Sequence, residues 1–272
     1  MMKNITIGQY IPSDSSFHFL DPRTKIMGTI FFIAALFFVK NFSGYAVVFA
    51  LILLITQLAK LQFSFLYKGL KGIFMLILFT AALNLFITGG SGTPLFQLGP
   101  IRVYPEGVHL AVFMTLRLLF LVMGTSLLTL TTSPIELTDG IEKLLSPFKR
   151  FGMPAHELAM MMSIALRFIP TLMDETDKIM KAQMARGADF ESRNLVKKAR
   201  SLIPILVPLF ISSFRRAEDL AMAMEARCYR GGEGRTKMKE LKYRARDAKA
   251  YLVFAAFVAA IIFLGLKRFG LP

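Results

Sequence analysis

Residues 26–59 read "IMGTIFFIAALFFVKNFSGYAVVFALILLITQLA", a run broken in its middle by Lys40, Asn41, Ser43 and Gly44. One continuous helix of this length would overshoot the hydrocarbon layer, because about 20 residues suffice to cross it. The stretch therefore predicts a tight helical hairpin, with spans over 26–39 and 42–59. Three more apolar segments, 72–88, 108–130 and 250–266, bring the expectation to about five transmembrane helices. Composition agrees: 54% of the chain is hydrophobic and it holds 26 Phe, whereas about 45–50% is usual for soluble domains. In "LDPRTK", Asp21 is placed as the N-cap of the first helix, Pro22 in its first turn, and Arg23 and Lys25 at the membrane interface. The first 25 residues carry Asp14, Asp21, Arg23 and Lys25 and lack the apolar run of a cleavable signal, so the first span is expected to remain in the mature protein.

The formal charge of +15 accompanies no compact basic domain, so it points to a cytoplasmic membrane face and not to nucleic acid. Segment 60–71 has Lys60, Lys68 and Lys71 and no acid. Segment 89–107 sets only Arg102 against Glu106 among glycines and prolines. The positive-inside rule makes the first cytoplasmic and the second external. The span ending near Leu130 then places residues 131–249 in the cytoplasm, with 22 of the 33 basic and 15 of the 18 acidic residues. Three parts follow: membrane helices over 1–130, a cytoplasmic region over 131–249, and a C-terminal span within 250–272.

Within 131–249 the sequence predicts three amphipathic helices. Ser133, Pro134 and Glu136 form a capping-box start for a short helix ending before Pro147. A second runs from about Pro154 to Ala185, with Leu158, Met162, Ala165, Ile169, Leu172, Ile179 and Met180 on its apolar side. A third runs from about Leu195 to Arg227, with Arg215, Glu218, Asp219 and Glu225 on its charged side. Pro170, Pro204 and Pro208 should bend the two long helices. These are expected to lie along the membrane, although "SLIPILVPLFI" (201–211) is apolar enough to dip into it.

Catalytic signatures are missing: there is no P-loop, no nucleophile elbow, and His18, His109 and His156 have no partner at metal-ligand spacing. No catalytic residue, metal ligand or cofactor is assigned. Asp174 and Asp177 share a helical face and would suit a divalent ion on a lipid diphosphate, but the matching second acidic cluster is wanting, and a solvated face paired with Lys178 and Lys181 accounts for them better. Arg117, in mid-span, needs protein or water around it, with Asn84 or backbone as expected partners.

One phrase recurs. Ala185-Arg186-Gly187 and Ala226-Arg227-Cys228 close the two long helices alike. A basic residue before a C-cap explains each singly. Together, flanked by small residues, they suit insertion into grooves on two equivalent partners. With "LDPRTK", "TSPIELTDG", "ELAMMMSIALRFIPTLMDETDKIMKAQMARGADF" and "RRAEDLAMAMEARCYRGGEGRTK", the chain resembles the T component of energy-coupling factor transporters, the EcfT or CbiQ-like family.

That resemblance implies an all-α polytopic protein of a prokaryotic cell membrane, with cytoplasmic coupling helices. Ala185, Arg186, Gly187, Ala226, Arg227 and Cys228 would dock two ATP-binding-cassette ATPases, and a separate substrate-binding membrane subunit would complete an importer for vitamins or other micronutrients. Membrane lipid is the remaining partner, and nucleic acid is not one. Cys228 stands where the family pattern has glycine, which leaves open how closely the second backbone is approached. The different-class alternative is a membrane enzyme using Asp174 and Asp177 on a lipid diphosphate.

Overall fold

Helix α1 (Pro22–Phe38) begins as the sequence predicts: the Asp21 carboxylate accepts from the N–H of Arg23, and Pro22 sits in the first turn. A computed structural model describes residues 10–89, 96–98, 101–188, 190, 195–232 and 240–266. After α1 come α2 (Phe42–Leu58), α3 (Phe63–Lys71), α4 (Phe74–Ile87), strands β1 (Phe96–Leu98) and β2 (Ile101–Val103), α5 (Pro105–Thr131), α6 (Pro134–Leu145), a 3-10 turn (Ser146–Phe151), α7 (Ala155–Ala185), α8 (Leu195–Ala226) and α9 (Ala245–Leu266). The protein is an all-α membrane protein, with one antiparallel hairpin, Phe96 opposite Val103, inside the expected external loop. The chain divides into two compact units, with boundaries between Ile141 and Glu142 and between Glu240 and Leu241.

In the unit formed by residues 7–141 and 241–272, the expected hairpin is present as α1 and α2, turning at Val39–Asn41. Each has 17 residues, about 25 Å, at the short end of what crosses a bilayer. Only α5 and α9, among the described residues, are single helices long and apolar enough to span. The expected span over 72–88 needs correcting. Its helix α4 has 14 residues, and it reaches spanning length only together with α3, from which it bends by 64°. The predicted cytoplasmic loop 60–71 is thus largely helical. Leu66 is buried and Leu70 packs on the core, while Lys68 and Lys71 occupy the last turn, so a nine-residue helix forms because one side finds a place to bury.

The core of this unit joins α1, α2, α5 and α9 through Leu36, Val48, Ile52, Phe120, Leu127 and Phe257. Phe32 stacks on Phe257 with ring centroids 6.0 Å apart. A methyl group on Gly124 would collide with the Phe32 ring, so glycine there lets α5 approach α1 as small residues do between membrane helices.

Charged side chains close several helix ends in this unit, and Asp21, Lys25 and Asp247 among them are buried. Asp247 reaches back to the N–H of Arg244 (2.8 Å), the capping of its own helix α9, and also accepts from the N–H of Asp21 (2.8 Å). Arg23 donates twice to the Asp21 carboxylate (3.0 and 2.8 Å) and lies 3.9 Å over the Tyr243 ring. Lys25, expected at the interface, is buried and donates to the carbonyls of His18 (3.0 Å) and Thr131 (2.8 Å), the latter at the end of α5. Arg117 points to the carbonyl of Val39 (3.4 Å), just past α1, between the rings of Phe37 and Phe113. Its expected partner Asn84 instead donates to Thr80 in its own helix.

Burial pushes the Asp21 carboxyl up, but the hydrogen bonds from Arg23 and the charges of Arg23 and Lys25 outweigh it and hold the group below its ordinary value. A depressed carboxylate stabilises the fold at pH values above its unfolded pKa, about 3.9. That contribution is lost as pH falls below this, and an acid melting series should show it vanish in Asp21→Asn. Asp247→Ala removes the acceptor of two N–H groups and should cost about 2–4 kcal/mol, read as a lowered Tm in detergent. Asp14→Ala, at an exposed position, should stay within about 0.5 kcal/mol of the parent.

Candidate functional site: two arginine-tipped helix ends

The unit of residues 142–240 is built on α7 and α8, which begin and end within a residue or so of the sequence expectation. At 31 and 32 residues they are about 46–48 Å long. Both continue through their internal prolines, Pro170 in α7 and Pro204 and Pro208 in α8. The covered side of α7 agrees in part with the one predicted, since Ile169, Leu172, Ile179 and Met180 are half-buried. Leu158, Met162 and Ala165 are exposed, and Ile164 and Phe168 join the predicted Leu172 in lining, with Ala217, Leu220 and Met224 of α8, a groove of about 290 Å³. This i, i+4, i+8 row lines the groove together with the small residues Ala217 and Ala221 of α8.

Two polar links fix the pairing. The Arg216 guanidinium donates to the Glu175 carboxylate at 2.7 Å. His156, at the start of α7, donates through Nδ1 to Glu142 (3.0 Å), and its Nε2 lies 3.4 Å from the Tyr229 hydroxyl, just past α8. Gly232 lies so close to the His156 ring that any Cβ would strike it. The start of α7 meets the end of α8, so the two helices are antiparallel. Arg186 and Arg227 each lie eleven residues beyond the Glu175–Arg216 link, in opposite directions. At 1.5 Å per residue the two arginines are on the order of 30 Å apart.

Both ends close with the same backbone pattern. In the first, the N–H of Gly187 donates to the carbonyl of Met184 and that of Ala188 to Gln183, each at 3.0 Å. In the second, Cys228 donates to Glu225 (2.8 Å) and Tyr229 to Met224 (3.0 Å). These are paired Schellman closures, with Arg186 and Arg227 as the C-caps. Gly187 takes φ 87° and Cys228 φ 55°, both left-handed. The departure from glycine at 228 therefore leaves the backbone path intact, at a conformational cost that glycine would not carry. Ala185, Arg186, Gly187, Ala226, Arg227 and Cys228 are all exposed. Neither arginine has an ion pair among the described residues.

Other sequence candidates stay apart from these ends. Asp174 is exposed and Asp177 half-buried; among the described residues, neither joins a third carboxylate, imidazole or thiolate in a group able to hold a metal. The stretch 201–211 presents Leu202, Ile203, Leu206, Val207, Phe210 and Ile211 outward, each at least 45% exposed. His156, Glu142 and Tyr229 were not found by the sequence reading, since 14 and 73 residues separate them and only the antiparallel pairing brings them together.

The architecture is that of an integral membrane protein in which long amphipathic helices, capped by exposed arginines, form a compact unit distinct from the one that holds the apolar spans. The chain belongs to the CbiQ family, described as cobalt transport protein, whose sequence profile matches residues 13–238. It is 63% identical over 262 residues to the "Energy-coupling factor transporter transmembrane protein EcfT" of Clostridium kluyveri, covering 96% of this chain and 97% of that protein. Proteins of the same name from Acidaminococcus fermentans and Bacillus subtilis are 53% and 48% identical. The first alignment covers 100% of both chains; the second covers 97% of this one and 99% of the other.

Two substitutions test the closures. Cys228→Gly should stabilise the end of α8 by about 1 kcal/mol, because a side chain in the left-handed region costs about 1–2 kcal/mol. Gly187→Ala should destabilise α7 by a similar amount even though open space surrounds the position. Hydrogen exchange at Ala188 and Tyr229, whose N–H groups complete the closures, reads both effects locally.

Proposed function

We propose that the chain is the non-catalytic transmembrane scaffold of an energy-coupling factor importer in a prokaryotic cell membrane. In this reading residues 1–130 and 250–272 are its membrane parts and 131–249 its cytoplasmic coupling region. Two ATP-binding-cassette ATPases dock, one on Ala185-Arg186-Gly187 and the other on Ala226-Arg227-Cys228. ATP binding draws the ATPases together, the two helix ends follow, and the motion reorients a substrate-binding membrane subunit that carries a vitamin or other micronutrient.

The observation that carries this is the equivalence of the two ends. Identical closures fix two exposed guanidiniums beside small residues, about 30 Å apart at opposite ends of one helix pair. Five rigid donors on a cation with no bulky neighbour suit a groove lined by carbonyls or carboxylates. Two copies facing apart suit two copies of one partner fold. The outward apolar residues of 201–211 suit the substrate-binding subunit, because a patch of this kind on a membrane protein calls for cover. The names of the relatives point the same way.

Arg186→Glu and Arg227→Glu, singly and together, are the direct test, read by co-purification of tagged scaffold with its ATPases and by uptake in cells. Each single change should weaken one docking by about 2 kcal/mol or more, and the double change should abolish assembly and uptake. Retention of both ATPases by the double variant would overturn the assignment. Asp174→Asn with Asp177→Asn should leave assembly and uptake unchanged, and a lost turnover activity with intact ATPase binding would favour an enzyme instead.

A further inference from the structure

The unit that holds α1, α2, α5 and α9 has a groove of about 380 Å³ outside its packed core. It lies between the C-terminal half of α2 and the first turns of α9, with residues 16–20 at one side. The two helices run antiparallel, since Asn41 at the start of α2 donates to the carbonyl of Leu264 at the end of α9 (3.2 Å). The floor and walls are apolar, with Phe17, Leu54, Leu58 and Val253, and the last three are 40–50% exposed. Arg246 and Lys249 line the same groove, one turn apart on α9, where its apolar run begins.

Both cations are exposed, and neither has an acidic partner among the described residues. The one acid of α9, Asp247, is buried and its two oxygens are committed to the N–H groups of Asp21 and Arg244. This combination is amphiphilic in a fixed order. Two exposed cations stand where the apolar run of α9 begins, and an apolar channel leads from them along α2 and α9. We infer that the groove between α2 and α9 is a binding site for one anionic phospholipid, its phosphate held by Arg246 and Lys249 and an acyl chain laid against Leu54, Leu58 and Val253. A zwitterionic lipid carries its own cation beside the phosphate and would meet Arg246 and Lys249 unfavourably, whereas a basic pocket between membrane helices selects negative headgroups. The inference goes beyond the docking reading and does not depend on it, because it uses only the start of a spanning helix and the groove beside it.

The test is native mass spectrometry of the full-length protein, delipidated in detergent and titrated with dioleoyl phosphatidylglycerol or dioleoyl phosphatidylcholine. One phosphatidylglycerol should bind ahead of any phosphatidylcholine. Arg246→Gln with Lys249→Gln should weaken that binding about thirtyfold and erase the preference, since each cation near an anionic lipid surface is worth about a factor of five. Val253→Trp, which fills the channel and keeps both charges, should reduce binding of both lipids with an unchanged Tm. Equal affinity for the two lipids, or a preference that survives the double substitution, would overturn the site. Competition by inorganic phosphate as effective as by the lipid would reduce it to a plain anion site. If Val253→Trp spared lipid binding but released a membrane subunit from the purified complex, the groove would be a protein seat and the lipid assignment would fail.

Discussion

Every helix leaves N–H groups at its start and carbonyls at its end without partners, and in a membrane protein water is not freely at hand to take them. The fold answers this requirement with charged side chains placed at helix ends and turned inward. Asp21 and Asp247 accept from the N–H groups that open α1 and α9, while Lys25 and Arg117 donate to carbonyls at or just past the ends of α5 and α1. Each sign matches the helix dipole at its end. The packing of Phe32, Leu36, Val48, Ile52 and Phe257 depends on those ends being closed, because apolar side chains cannot rescue an orphaned backbone group beside them.

The same accounting covers helix ends in both units. In the unit that holds α1, α5 and α9, charged side chains close ends of those helices, while α2 closes by its backbone, Lys60 (φ 53°) donating to Gln57 and Leu61 to Thr56. On α7 and α8 the backbone likewise closes its own carbonyls through Schellman hydrogen bonds, and the exposed arginines at those positions have no ion pair among the described residues. A guanidinium not needed by its own helix is available to another protein. The contrast between Arg117, absorbed into the fold, and Arg186 and Arg227, held outside it, is therefore a contrast in who supplies the cap.

Much of this was legible in the residues. Asp21 as N-cap, Ser133 as the start of α6 (its Oγ accepts from Glu136 at 3.3 Å), the hairpin of α1 and α2, and the bounds of α7 and α8 all follow from local chemistry within one or two turns. What escaped depended on partners distant in sequence. Asp247 reads as an ordinary acid in a basic stretch until α9 is laid against α1. Helix α3 is too short for its period to stand out, and it exists because Leu66 finds a core. The covered side of α7 is legible only in part, because Leu158 and Met162 are as apolar as Phe168 and it is the pairing with α8 that leaves the first two exposed. Periodicity also could not tell that Cys228 would adopt a left-handed conformation, since the chain there follows a hydrogen-bond pattern and not a residue preference.

Cys228 has a further consequence. It is the only cysteine in the chain, it is exposed, and it adjoins Arg227. The protein thus carries, in its natural sequence, a single thiol beside one helix tip and none beside the other. A fluorophore or spin label attached there would make one end of the helix pair visible while the other stays dark, so two otherwise equivalent ends could be told apart in a working complex.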